Sequence, residues 1–170
     1  MSVVMRADNC HSTESPFYLV ANWKNQGSRA DVEQVIEKLS AYSELPFQLI
    51  VLLPAPLWGL WQQCTTLPKQ VVLGSQYVDV GSKALTGGLS ITMLQEHGCQ
   101  WACIGHSERR CYTQHNQQLI CDQIETLIAA GIHPIICVST EEQLYEIRES
   151  LCFAIRSDFD IIIAYEPEWA

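Results

Sequence analysis

Apolar residues in this chain come in short continuous runs rather than in alternation with polar ones. Phe17–Asn22, Phe47–Leu53, Val71–Gln76, Trp101–Gly105, His133–Ser139 and Asp160–Glu166 each hold such a run, rich in β-branched residues. Continuity over four to seven residues predicts strands covered on both faces, as in a parallel sheet. The segments between them follow a different period. Val32, Val35, Ile36 and Leu39 share one helical face, as do Leu57, Leu60, Trp61 and Cys64, and again Leu119, Ile120, Ile124, Leu127 and Ile128. Ser28 stands three residues before Asp31, and Thr140 three before Gln143, the spacing at which a side chain caps the first amides of a helix. Gly98 and Gly131 fall where helices should stop.

Strand and helix therefore alternate, with strand starts about 30 residues apart, the length of one βαβ unit. Two architectures accommodate six such units: an open, doubly wound sheet, or part of an eight-stranded barrel. The first strand-to-helix turn carries no glycine-rich phosphate loop of either nucleotide-binding kind, which weakens the open-sheet alternative.

Composition narrows the functional classes. The chain has 170 residues, 48% apolar and 17% charged, within the range of one compact domain. Its longest apolar runs, Leu49–Leu53 and Ile161–Ala164, are far short of the roughly 20 residues of a membrane span. Ten basic against nineteen acidic residues give a formal charge of −9, which disfavours nucleic acid as a partner. Met1–Glu14 lacks an apolar stretch followed by small residues, so no secretory leader is expected and a cytoplasmic location is. Residues 1–15 read as a polar N-terminal extension preceding a domain over 16–170. Cys64, Cys99, Cys103, Cys121, Cys137 and Cys152 lie in apolar segments without any C-x-x-C pair and are expected to be buried free thiols. His97, Cys99, Cys103 and His106 do not have the spacing of zinc ligands, and no metal is expected.

In both architectures the chemistry collects beyond the C-terminal ends of the strands. There the chain offers Asn22, Trp23 and Lys24 after the first strand, His106, Ser107, Glu108, Arg109 and Arg110 after the fourth, and Glu166 with Pro167, Glu168 and Trp169 at the end of the sixth. Singly, these are commonplace: a solvated lysine, a strand-end histidine, a carboxylate before proline. On one rim they supply an amide, an ammonium, an imidazole and a carboxylate, the inventory for proton transfer beside a developing oxyanion.

Three segments resemble those of the triosephosphate isomerase family, in that family's order and spacing: Ala21-Asn22-Trp23-Lys24, Ile104-Gly105-His106-Ser107-Glu108-Arg109-Arg110, and Ala164-Tyr165-Glu166-Pro167 with Trp169. Weaker matches lie at Gly74-Ser75-Gln76, Ala84–Ser90 and Pro134–Val138. The resemblance covers roughly residues 16–170. It implies an α/β fold, the parallel (β/α)8 TIM barrel, here incomplete with about six βα units. It implies an isomerase of glycolysis and gluconeogenesis that interconverts dihydroxyacetone phosphate and glyceraldehyde 3-phosphate through an enediolate, without cofactor or metal. Its partners would be the small phosphorylated triose and, in a complete form, a second copy, with the Gly81–Gly88 loop reaching the neighbour near Lys24. Glu166 would be the base and His106 the electrophile; the family is itself the reference example of a glutamate base paired with a neutral histidine. Lys24 and Asn22 would bind substrate and stabilise its negative charge, Glu108 would hold Lys24, and Ser107 would open the helix behind the histidine. Arg109 and Arg110 would support the loop.

Departures from the family pattern are Gly88 in place of an acid, Ser139-Thr140 in place of Gly-Glu, and Glu168 between Pro167 and Trp169 at the first hinge of the lid. A barrel of this type takes roughly 250 residues, and its phosphate site is commonly built by the loops after strands seven and eight. The 170-residue chain by itself is accordingly expected to show little activity and to leave two sheet edges open. The alternative is a non-catalytic six-unit barrel fragment acting in binding or assembly. An unrelated open α/β sheet would reveal itself by a reversal in strand order.

Overall fold

The computed structural model describes residues 3–6, 17–81, 84–113, 117–156 and 159–167. Among these residues, seven strands form one sheet: β1 (Val3–Arg6), β2 (Tyr18–Asn22), β3 (Gln48–Leu52), β4 (Val71–Ser75), β5 (Trp101–Ile104), β6 (His133–Val138) and β7 (Ile162–Tyr165). The order is β1-β7-β6-β5-β4-β3-β2. From β2 to β7 every neighbour is parallel and sequential, with no reversal. That excludes the doubly wound alternative. Six parallel strands curl into a partial TIM barrel, as the resemblance implied.

Alternate residues of each strand point to opposite faces. Ile50, Leu52, Val72, Trp101, Cys103, Ile135, Cys137, Ile162 and Ala164 form a buried cluster on the concave side. Leu49, Val51, Leu73, Ala102, Ile104, Ile136 and Val138 face the other way and pack under the helices with Val32, Leu94, Ile124 and Leu127. Burial on both faces is what the unbroken apolar runs require. Across the concave interior, the ring of Tyr18 on β2 meets Trp101 on β5 edge to face at 5.4 Å, and Trp101 stacks on His133 at 4.7 Å. His133 in turn meets Phe159 at 4.6 Å, so aromatic rings fill the end of the arc where the strands begin.

The helices are α1 (Arg29–Ser40), α2 (Trp58–Gln62), α3 (Ile91–Glu96), α4 (Ser107–Thr113), α5 (Gln117–Ala129), α6 (Glu141–Glu146) and α7 (Arg148–Arg156). Ser28 and Asp31 form the reciprocal capping box expected of α1, and Thr140 accepts from the Gln143 amide to cap α6. Gly98 and Gly131 follow α3 and α5 in the left-handed conformation, at φ +67° and +76°. The face from Leu57 to Cys64 is not one helix. A 3₁₀ turn, Ala55–Leu57, leads into a five-residue α2, because Pro54 and Pro56 constrain its entry and Gly59 weakens its first turn.

Three other features differ from the sequence reading. Among the expected buried thiols, Cys99, Cys103 and Cys137 are buried, Cys64 and Cys121 half-buried and Cys152 exposed, since Cys152 falls on the outer side of α7. The N-terminal stretch holds a strand, β1, which lies antiparallel along β7 and covers one of the two edges expected to be open. Glu168 and Trp169, on which the hinge reading depends, lie outside the described residues, as do positions 82 and 83 of the Gly81–Gly88 loop. Among the described residues, no helix is long and apolar enough to cross a membrane.

Candidate active site

Each rim residue owes its place to a local backbone device. At the end of β2 the Asn22 carboxamide oxygen accepts the Lys24 N–H at 2.9 Å, closing a turn around Trp23. Lys24 sits at φ +52°, the only described non-glycine residue with positive φ. Lysine enters that region at a cost of about 1–2 kcal/mol, so something must hold it there. Gln76, just past β4, does so. Its Nε2 donates to the Lys24 carbonyl at 2.6 Å and to the Leu52 carbonyl at 3.0 Å, and lies 3.4 Å from Asn22 Oδ1.

β5 is followed directly by Gly105 at φ +68°. A Cβ there would meet the Arg110 guanidinium and the Cys137 carbonyl, each at 3.0 Å, so glycine is required by both conformation and space. Arg110 donates to the Gly105 carbonyl (2.7 Å), Gln117 Oε1 (3.0 Å) and the Cys137 carbonyl (3.4 Å), tying together the ends of β5 and β6 and the start of α5. The Arg109 guanidinium lies 4.0 Å over the Tyr77 ring. Both arginines thus brace the loop.

The sharp turn at Gly105 buries His106 at the rim, 8% exposed, and α4 begins at Ser107. His106 Nδ1 accepts the Glu108 N–H at 3.2 Å. An imidazole nitrogen that accepts has no proton of its own, so this contact corresponds to the tautomer with its hydrogen on Nε2. Nε2 is 3.6 Å from Glu166 Oε2. Glu166 follows β7 and extends its ladder, donating its N–H to the Val138 carbonyl at 2.8 Å. Its side chain is 28% exposed.

Lys24 Nζ donates to Glu108 Oε1 at 2.7 Å. That bond raises the Lys24 pKa above its ordinary value, against partial desolvation and with the Glu108 and Glu166 charges adding. Reciprocally, the bond from Lys24 lowers Glu108 below the usual carboxylate range, again against desolvation. Both side chains are half exposed, so the pair contributes at most about 1 kcal/mol to stability.

Lys24, Glu108, His106 and Glu166 therefore follow one another across the rim from β2 past β5 to β7, with a carboxylate oxygen of Glu108 and one of Glu166 each 3.6 Å from a His106 ring nitrogen. The structure brings together Asn22, Lys24, His106, Glu108 and Glu166. Ser107 is exposed at the start of α4. Gln76 was visible in the sequence only as part of a weak match. Its position one residue beyond a buried strand, between the strands bearing Lys24 and His106, is the signal that points to it.

The family model for triosephosphate isomerase matches residues 17–170. Among curated relatives, the triosephosphate isomerase of Ralstonia nicotianae is 33% identical over 91% of this chain and 67% of its own length. Those of Photorhabdus laumondii (32%, 89% and 65%) and Saccharomyces cerevisiae (27%, 91% and 66%) agree. The chain spans about two thirds of the length of the curated relatives it matches. Strand order, rim geometry and these matches concur: the chain belongs to the triosephosphate isomerase family.

Proposed function

We propose that this rim performs the proton transfers that interconvert dihydroxyacetone phosphate and glyceraldehyde 3-phosphate. One observation carries the reading: the buried His106 presents Nε2 toward the Glu166 carboxylate, while its Nδ1 is committed to the Glu108 amide. The Glu166 carboxylate removes a proton from the carbon next to the substrate carbonyl, generating an enediolate. The Nε2–H of His106 donates to the oxygen gaining charge and then recovers a proton from the neighbouring hydroxyl. Glu166 returns its proton to the adjacent carbon, which completes the isomerisation with no net change in the protein. The Lys24 ammonium offsets negative charge on substrate and enediolate, and Glu108 holds it in reach.

Orientation of the substrate requires a seat for its phosphate, remote from the reacting carbon. In barrels of this type that seat commonly belongs to the last two units, so low turnover is expected of the 170-residue chain alone. The test is a steady-state assay of the purified chain with and without a fragment supplying two further βα units. The complemented enzyme is expected to turn over, and Glu166→Gln to lower its kcat by on the order of 10²-fold or more. Unchanged turnover in Glu166→Gln, or an inactive complemented enzyme, refutes the proposal.

A further inference from the structure

Among the described residues, β1 is the one strand that runs against the rest of the sheet. It pairs Val3 with Tyr165, Val4 with Ala164, Met5 with Ile163 and Arg6 with Ile162, matching β7 residue for residue. Without it, alternate N–H and C=O groups of β7 would face outward along a strand whose Ile162 and Ala164 side chains are 1% and 6% exposed. An open strand edge with apolar side chains is a template for strand addition by another chain. The segment laid on it begins with two β-branched residues and ends in a charged one, Arg6, a composition that favours pairing at its start and discourages further strand addition at its end.

The topology adds a second point. β1 and β2 are the two outer strands of the sheet, and residues 7–17 connect them. The covering strand is therefore tethered to the far side of the same arc, which makes its pairing intramolecular and its effective concentration high. We propose that Val3–Arg6 is a built-in edge seal, which pairs with Ile162–Tyr165 and thereby prevents a second copy of this chain from adding a strand there. This inference stands on strand register; a fragment supplying further βα units next to β7 would have to displace Val3–Arg6.

Two variants of the 170-residue chain test it: deletion of residues 1–7, and the double substitution Val4→Pro with Met5→Pro. In an antiparallel ladder only every second residue donates across the pair, so one of the two prolines removes a bond to β7 whichever register face applies. Hydrogen exchange is expected to accelerate by about 10-fold or more at alternate amides of Ile162–Tyr165, while amides of β3 and β4 keep their protection. Sedimentation velocity is expected to show concentration-dependent association in both variants, reversed by adding a peptide of residues 1–9. Retained protection of β7 in both variants overturns the proposal, as does a variant whose β7 is deprotected but which stays monomeric at the highest concentration reached. In the intact chain, exchange of all four β7 amides except those bonded to β6 at the rate of a free peptide overturns it without any substitution.

Discussion

Replacing Gln76 by Met would test whether the left-handed Lys24 is held or merely tolerated. Nε2 of Gln76 carries two hydrogens for three acceptors, and the two short contacts, to the Lys24 and Leu52 carbonyls, are the full bonds. At about 0.5–1.5 kcal/mol each, their loss amounts to about 1–3 kcal/mol. The Leu52 carbonyl keeps a second donor, the Trp23 N–H at 3.1 Å, so its share lies at the lower end. Lys24, once released, relaxes from φ +52° and recovers the about 1–2 kcal/mol of backbone strain. Strain recovery offsets bond loss, so Gln76→Met should cost only about 0–1 kcal/mol in the native background. In a Lys24→Gly background there is no strain to recover, and the same substitution should cost the full about 1–3 kcal/mol. Urea denaturation of the four proteins of this cycle, at equal m values, measures the difference. An equal cost in both backgrounds would show that Lys24 keeps its conformation unaided, and the holding role assigned to Gln76 would be wrong.

Two further outcomes concern the rim. Gly105→Ala combines a left-handed backbone with a Cβ 3.0 Å from the Cys137 carbonyl, and should lower stability by about 2 kcal/mol or more; a thermal midpoint within about 1 °C of the native chain would contradict the geometry. The Lys24–Glu108 bond should be felt only between the two titrations. Glu108 has a lowered folded pKa, so its contribution is present above the ordinary carboxylate value and disappears as pH falls through the folded one; Lys24 has a raised pKa, so its contribution is present below the ordinary lysine value and disappears as pH rises through the folded one. The stability difference between native chain and Glu108→Gln, at most about 1 kcal/mol at neutral pH, should therefore vanish in strong acid, and its persistence there would assign it to packing.

Strand positions were legible in the sequence because burial on both faces leaves an unbroken apolar run. β3 and β6 begin and end within a residue of the runs Phe47–Leu53 and His133–Ser139, while the run from Asp160 starts two residues ahead of β7. The rim was legible for a different reason: Asn22, Lys24, His106, Glu108 and Glu166 each stand at the end of an apolar run or a few residues past it, where the topology must bring them to one end. Local pattern cannot carry pairing at a distance. Val3–Arg6 reads as four residues of a polar extension, and only its ladder with Ile162–Tyr165, nearly the whole chain away, makes it a strand. Gln76 is similar, since its importance lies in a conformation of Lys24 that no residue type announces. Leu57–Cys64 misled because helical period says nothing of the prolines and glycine that interrupt it.

The contact of Tyr18 with Trp101 has a bearing on how such an arc can exist with six parallel strands. A closed barrel holds its radius through the continuity of its hydrogen-bonded ring. Here the first and fourth parallel strands instead touch through their side chains across the hollow, and the stack continues through His133 to Phe159. Curvature is thus a property of the interior packing and is already present without closure. Further βα units docking beside β2, or beside β7 in place of β1, would meet a template bent in advance, and the free energy of their association would not have to include bending the sheet.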